Sequence, residues 1–231
     1  MKKLILGLIS VSLVACSAAG SQDAQTATAE NTAPIKVAAN SSKPSRPVVV
    51  EAPNYGSAFE ATPSGEYVIE KGHAYINASY LHQGFSRPIL RWLGWDSTLN
   101  WNAEDPTQSS VIVTMDAASV DSGIAKFDEH LKAADFFDVE NFPTITFQSI
   151  KLEKRDGLTG QMTGDLTIKG ITKPVYLNVV FNKGALDFWD NTRLGFSAKG
   201  QIMRSDWGLG KYSPATSDLV DLVIEVEYIK K

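Results

Sequence analysis

The chain has 231 residues, a net charge of −4 and one cysteine. A single thiol excludes an internal disulfide framework, and the absence of a basic patch interleaved with aromatics argues against a nucleic-acid surface. The only apolar run that approaches a membrane span, Leu4 to Leu13, is too short, since a spanning helix needs roughly 20 apolar residues.

That run follows Met1-Lys2-Lys3, and a positive segment ahead of a short apolar one marks a secretory signal. Leu13-Val14-Ala15-Cys16 resembles the bacterial lipobox, whose thiol carries a diacylglycerol through a thioether. Residues 1–15 are therefore expected to be removed and Cys16 to be lipidated. Ser17 after the cysteine points to the outer membrane if the host sorts lipoproteins as enteric bacteria do. The expected location is the cell envelope, anchored and facing the periplasm.

Residues 16–63 are rich in Ala, Ser, Thr, Asn, Gln and Pro, too poor in large apolar side chains to offset chain entropy. They read as a disordered tether with a typical span of about 40 Å. Val48-Val49-Val50 is an alternative short strand. Residues 64–231 suit one domain.

Within that domain Pro88 fits the first turn of a short helix, Ser86 to Leu93. Val111, Val113 and Met115 read as a strand. Ser122 could cap a second helix carrying Ile124, Phe127 and Leu131. From Ile145 to Leu152 the apolar parity changes, which a β-bulge near Gln148-Ser149 would reconcile. Asp156-Gly157 signals a hairpin. Four faces of period two follow: Met162, Gly164, Leu166 and Ile168; Val175, Leu177, Val179 and Phe181; Leu194, Phe196, Ala198, Gly200 and Ile202; and Val220 to Tyr228 in steps of two. Asn182-Lys183-Gly184 reads as a turn between the second and third.

Apolar faces alternating with charge imply antiparallel pairing with one solvated side. The expected class is all-β: an antiparallel lipocalin-like β-barrel of about eight strands with one or two short helices, able to enclose one small ligand. A two-sheet sandwich has the same periodicity. The inward positions Leu166, Ile168, Leu177, Val179, Phe196, Ile202, Leu222 and Ile224 are the candidate cavity lining. Arg204 shares the parity of Phe196 and Ile202; it would meet a carboxylate or pyrophosphate head group, or else pair with Asp206 or the rim.

Sharper chemistry finds little support. His73 and His82 differ in strand parity, and His130 sits on the second helix off the phase of Ile124 and Phe127, on a solvated face. No His-x-x-x-His, cysteine pair, Gly-x-Ser-x-Gly elbow or phosphate loop occurs, so neither metal nor cofactor is expected. Asp128, Asp135 and Asp138 read as helix and turn punctuation. Trp92, Trp95 and Trp101 either line a ligand mouth or seal one barrel end.

Five blocks in order carry a family resemblance: Tyr67-Val-Ile-Glu70 with His73 and His82-Gln83-Gly84; Asp128-Glu129-His130-Leu131-Lys132 with Asp135-Phe136-Phe137-Asp138-Val139; Phe142-Pro143-Thr144-Ile145-Thr146-Phe147; Gly164-Asp165-Leu166-Thr167-Ile168-Lys169-Gly170 with Pro174-Val175; and Gly195-Phe196 with Arg204-Ser205-Asp206-Trp207-Gly208. Over Tyr67 to Tyr228 the chain resembles the YceI-like family of lipid-binding, lipocalin-like barrels of the bacterial periplasm. Ala74 and Phe127 stand where the family usually has a hydroxyl and an arginine. The resemblance implies a non-catalytic carrier of a polyisoprenoid or fatty-acyl chain. An envelope stress or scaffold protein with a packed barrel is the alternative, and an enzyme on the same fold a further one. Barrel edges or the Trp-rich segment would offer a surface for a homodimer.

Overall fold

The computed structural model describes residues 62–231. The signal, Cys16, Val48-Val49-Val50 and nearly all of the tether lie outside the described residues.

The strands are β1 (Gly65–Ile69), β2 (Tyr75–His82), β3 (Ile89–Trp92), β4 (Trp95–Trp101), β5 (Ser110–Asp116), β6 (Val120–Asp121), β7 (Thr144–Lys154), β8 (Thr159–Ile168), β9 (Ile171–Leu186), β10 (Thr192–Met203) and β11 (Thr216–Lys230), with one α-helix, α1 (Ala125–Lys132). Every pairing among them is antiparallel. Eight strands form a closed ring in the order β1-β4-β5-β7-β8-β9-β10-β11, and β1 returns to β11. Closure rests on Tyr67↔Lys230, Val68↔Ile229 and Ile69↔Tyr228. This is the expected barrel, and its closure excludes the sandwich that has the same periodicity.

β11 also pairs with β2, over Thr216 to Glu225. The chain therefore runs along β11 twice, interrupted by a 3-10 turn at Lys71–His73. Glu70 makes that break, its side chain accepting the Gly72 N–H at 2.9 Å. β3 and β6 extend the sheet from β2.

The expected helix at Ser86 to Leu93 is absent: Ile89–Trp92 is strand β3, with Leu90 and Trp92 buried and Ile89 and Arg91 exposed. The turn before it decides this. Gln83 and Gly84 both have positive φ, and the Phe85 N–H donates to His82 O at 2.9 Å. That is a type I′ hairpin turn, which delivers the chain back onto the same sheet.

Asn182-Lys183-Gly184 is not a turn either, because β9 continues to Leu186. Lys183 pairs with Gly195 and Phe181 with Phe196, so Asn182 is an extra, bulged residue. Its side chain donates to Ser197 Oγ at 2.8 Å. In β7 the bulge falls at Ile150, between the pairs Ser149↔Gly164 and Lys151↔Thr163, a residue or two beyond its expected place. The Asp156-Gly157 hairpin forms.

α1 matches the second expected helix, but Ser122 does not cap it. Ile124 occupies the cap position without a side-chain bond. Instead Asp128 Oδ1 reaches back to accept from the Ser122 N–H and hydroxyl, at 2.8 and 2.5 Å.

Gly164 lies inward beneath Phe147, and a Cβ there would meet the Phe147 ring at 2.2 Å. Overpacking of this kind costs about 1–3 kcal/mol. Gly164→Ala is accordingly expected to lower stability in urea denaturation by about that much, and Phe147→Leu in the same chain to recover part of the loss.

Candidate ligand-binding cavity

The register divides the barrel into two ends. At one, the Asp187–Asn191 turn, the chain entry at Thr62 and the end of β11 come together. At the other lie the His82–Phe85 turn, α1 and the loop between β10 and β11.

The first end is filled. Trp101 stacks on Phe181 with centroids 5.6 Å apart and 6° between planes, and Phe196 stands edge-on to both. Thr62 is buried over Gly184 and accepts from Trp101 Nε1 at 3.1 Å. The Tyr228 hydroxyl is 2.7 Å from Ser97 Oγ, which donates to Ile112 O at 3.0 Å. Burial pushes the Tyr228 phenol up to about 12, so it stays a neutral hydrogen-bonding group.

Above this floor the interior is not filled. The inward side chains Ile76, Tyr80, Val179, Ile202, Leu222 and Ile224 are only half-buried, although they face the inside of a closed barrel. They face a cavity of about 780 Å³, within the range of about 300–1,000 Å³ found for small-molecule sites. Its walls are almost wholly apolar.

All eight expected lining residues reach this cavity: Leu166 and Ile168 from β8, Leu177 and Val179 from β9, Phe196 and Ile202 from β10, Leu222 and Ile224 from β11. Further walls come from β2 to β5, among them Ile76, Ala78, Leu90 and Val113, which are not among the expected lining. Ile76, Ala78 and Tyr80 alternate too, a period that the intervening polar Asn77 and Ser79 make readable.

The tryptophans divide between the two roles considered for them. Trp101 seals the floor, whereas Trp92 and Trp95 lie in the cavity wall on β3 and β4. Trp92 Nε1 is buried without a hydrogen-bond acceptor among the described residues, and the indole packs T-shaped against Phe137 at 5.7 Å.

Arg204 is buried and touches the cavity. It opens a 3-10 turn, Arg204–Trp207. Its guanidinium donates to Ser217 O at 2.9 Å, to Thr216 O at 3.0 Å, to Thr216 Oγ1 at 2.7 Å and to Leu209 O. Among the described residues it forms no ion pair with Asp206, and Asp218 acts on it only through its charge. Burial lowers its pKa. Most of its donors thus hold the loop that walls the cavity. The Tyr80 hydroxyl, near enough to feel the Arg204 charge, also lines the cavity; burial raises its pKa against that charge.

A clasp crosses the open end. Asp135 accepts from Lys211 Nζ at 2.8 Å and from the Tyr212 hydroxyl at 3.1 Å, and His130 Nε2 lies 3.1 Å from that hydroxyl. The His130 ring packs edge-on to Phe127, Phe136 and Tyr212. His130 is exposed, as expected for it, and also lines the cavity rim. His82 also reaches the cavity, whereas His73 does not. His73 lies on the outer surface beside Glu70 and Glu227, and Arg193 pairs with the same two carboxylates.

A YceI-like domain model matches residues 67–228. The chain belongs to the YceI-like family. Protein YceI of Escherichia coli is 35% identical over 178 residues, 76% of this chain and 91% of that protein. Among solved structures, the YceI protein of Campylobacter jejuni is 31% identical with a TM-score of 0.60, covering 64% of this chain and 87% of that one. A polyisoprenoid-binding domain from Saccharophagus degradans superposes with a TM-score of 0.57 at 11% identity, over 73% of this chain and all of that one, 100%, and so shares the fold. The YceI-like blocks now have places: Arg204–Trp207 closes one cavity wall, and Asp135 to Val139 forms half of the clasp.

Two outcomes follow. Arg204→Met leaves the carbonyls of Leu209, Thr216 and Ser217 without their donor, and is expected to cost about 3 kcal/mol of stability in thermal or urea unfolding. The hydrogen bond from Lys211, then those from Tyr212 and the neighbouring charges, hold the Asp135 carboxyl down from 3.8 to about 2. A depressed folded pKa stabilises above the unfolded value and is lost on acidification. The clasp is therefore expected intact above pH 3.8 and released as pH falls toward about 2. The Tyr212 side-chain NMR signals would report this, and Asp135→Asn should abolish that titration.

Proposed function

We propose that the protein is a non-catalytic carrier that takes up or sequesters one long apolar chain, of polyisoprenoid or fatty-acyl type, inside its barrel. The observation that carries this is the set of half-buried apolar side chains facing an otherwise empty interior. A packed scaffold barrel would need that space filled. The polyisoprenoid-binding domain of Saccharophagus degradans, with which the barrel shares its fold, supports the same ligand class.

The energetics suit such a ligand. Each buried methylene contributes about 0.8 kcal/mol. About ten of them supply roughly 8 kcal/mol gross, equivalent to micromolar affinity before association costs. No polar anchor is required. The Tyr80 hydroxyl and any donor that Arg204 retains offer a polar head group its place at the loop side of the cavity. In this proposal the carrier works in the bacterial envelope, tethered through Cys16 and facing the periplasm, with the outer membrane as the favoured anchor site. The signal-like start and the lipobox support that location.

Native mass spectrometry of the protein purified from bacteria without detergent tests the reading. A lipid-sized additional mass is expected. The cavity-filling pair Leu222→Phe and Ile224→Phe is expected to lower lipid occupancy at least about tenfold, because the added side-chain atoms displace buried ligand methylenes, while near-ultraviolet circular dichroism shows a folded barrel. A wild-type protein that stays bare after incubation with isoprenoids and fatty acids would overturn it.

A further inference from the structure

The open end of the cavity carries apolar side chains on its outside as well as its inside. Ile89 and Ile124 line the cavity, yet are 59% and 62% exposed. Phe85, at the tip of the His82–Phe85 turn, is 87% exposed. On the outer wall beneath that turn, Met203 of β10 pairs in register with Leu219 of β11. Leu81 lies on the adjoining strand β2, between Tyr80 and His82, which pair with Val220 and Thr216. All three are exposed. Outward positions on a barrel wall in water are ordinarily polar, as Lys199 and Gln201 are farther along β10. The apolar collar is continuous with the lining of the cavity, whereas a second exposed apolar group, Leu186, Phe188 and Trp189 at the filled end, does not reach it.

Three acidic side chains beside the collar are paired: Asp221 with Arg87 at 2.7 Å, Asp121 with Arg91 at 2.9 Å and Asp135 with Lys211 at 2.8 Å, while Asp218, next to Leu219, accepts hydrogen bonds from Ser205. Three carboxylates that would repel an anionic surface are thereby neutralised. A protein partner would gain little here. A stable protein interface buries about 800 Å² per side around a packed centre, and the centre of this collar is a hole. Acyl chains fill such a hole, and apolar side chains of this kind settle at the boundary between head groups and chains.

We propose that this collar docks the mouth of the barrel on a lipid bilayer, so that ligand passes between membrane and cavity without crossing water. The inference rests on the lipid-carrier reading above, but the surface can be tested separately from it.

The test uses the mature chain, residues 16–231, carrying Cys16→Ser, so that neither an acyl anchor nor the apolar run Leu4 to Leu13 contributes, with vesicles of phosphatidylethanolamine and phosphatidylglycerol. Co-flotation measures docking, and transfer of anthroyloxy-labelled palmitate from vesicle to protein measures loading. The collar variant Phe85→Ser/Met203→Ser/Leu219→Ser changes exposed positions outside the cavity lining. The parent chain is expected to float with vesicles and to load at a rate that rises with vesicle concentration. The collar variant should lower both at least about tenfold, yet bind the probe equally well when it is presented without vesicles. A parent chain that binds the probe but does not float, and loads at a rate independent of vesicle concentration, overturns the docking surface and leaves the carrier reading standing. A chain that floats through the collar but binds no probe upholds the docking surface and defeats the carrier reading. A collar-dependent dimer in gel filtration without flotation would assign the collar to a second copy and overturn the proposal.

Discussion

A closed ring of eight antiparallel strands has a bore fixed by strand number and tilt, wide enough either to be filled by side chains or to hold one small ligand. Here side-chain size decides between those outcomes along a single barrel. Where Trp101, Phe181, Phe196 and Tyr228 converge, aromatic volume fills the bore. Where Ile76, Leu222 and Ile224 face inward, branched aliphatic side chains do not meet across it. The cavity is the difference between a constant radius and a falling side-chain volume. Everything at the open end, the clasp and the apolar collar included, is arranged around that shortfall.

How far the sequence reveals this depends on whether a feature leaves a periodic trace. The inward faces of β8 to β11 are legible because each strand is long enough to repeat its alternation several times. Phe181 and Leu194 even stay on the inward face across the bulge at Asn182. β3 is not legible, since four residues hold barely two periods and Pro88 just before it suits a helix start equally well. Asn182-Lys183-Gly184 has turn composition for reasons unrelated to a turn: Asn182 is a bulge bonded to Ser197, and Gly184 leaves room for Thr62.

The cavity rim is harder still. His130 and Tyr212 are 82 positions apart, and nothing in either segment names the other. Arg204 shows the same limit from another side. Its side chain reaches the cavity, as its parity suggests, but three of its four hydrogen bonds run to backbone carbonyls, which every residue possesses and no sequence pattern marks. Rims built from loops on a rigid barrel are where specificity ordinarily resides, and here they are the part least written in local sequence.

The pairing of β1 with β11 also dictates an order of events. The first and last strands of the ring are joined by contacts such as Tyr67↔Lys230, so no ring exists until β11 has been synthesised. Contacts so distant along the chain form slowly, because a long loop must close before they stabilise anything. Until then strands such as β10 lack a neighbour on one side and can pair with strands from other chains. A ring that closes on β11 remains open until that strand is made, and the fifteen residues Thr216–Lys230 act as the seam that ends this vulnerable interval.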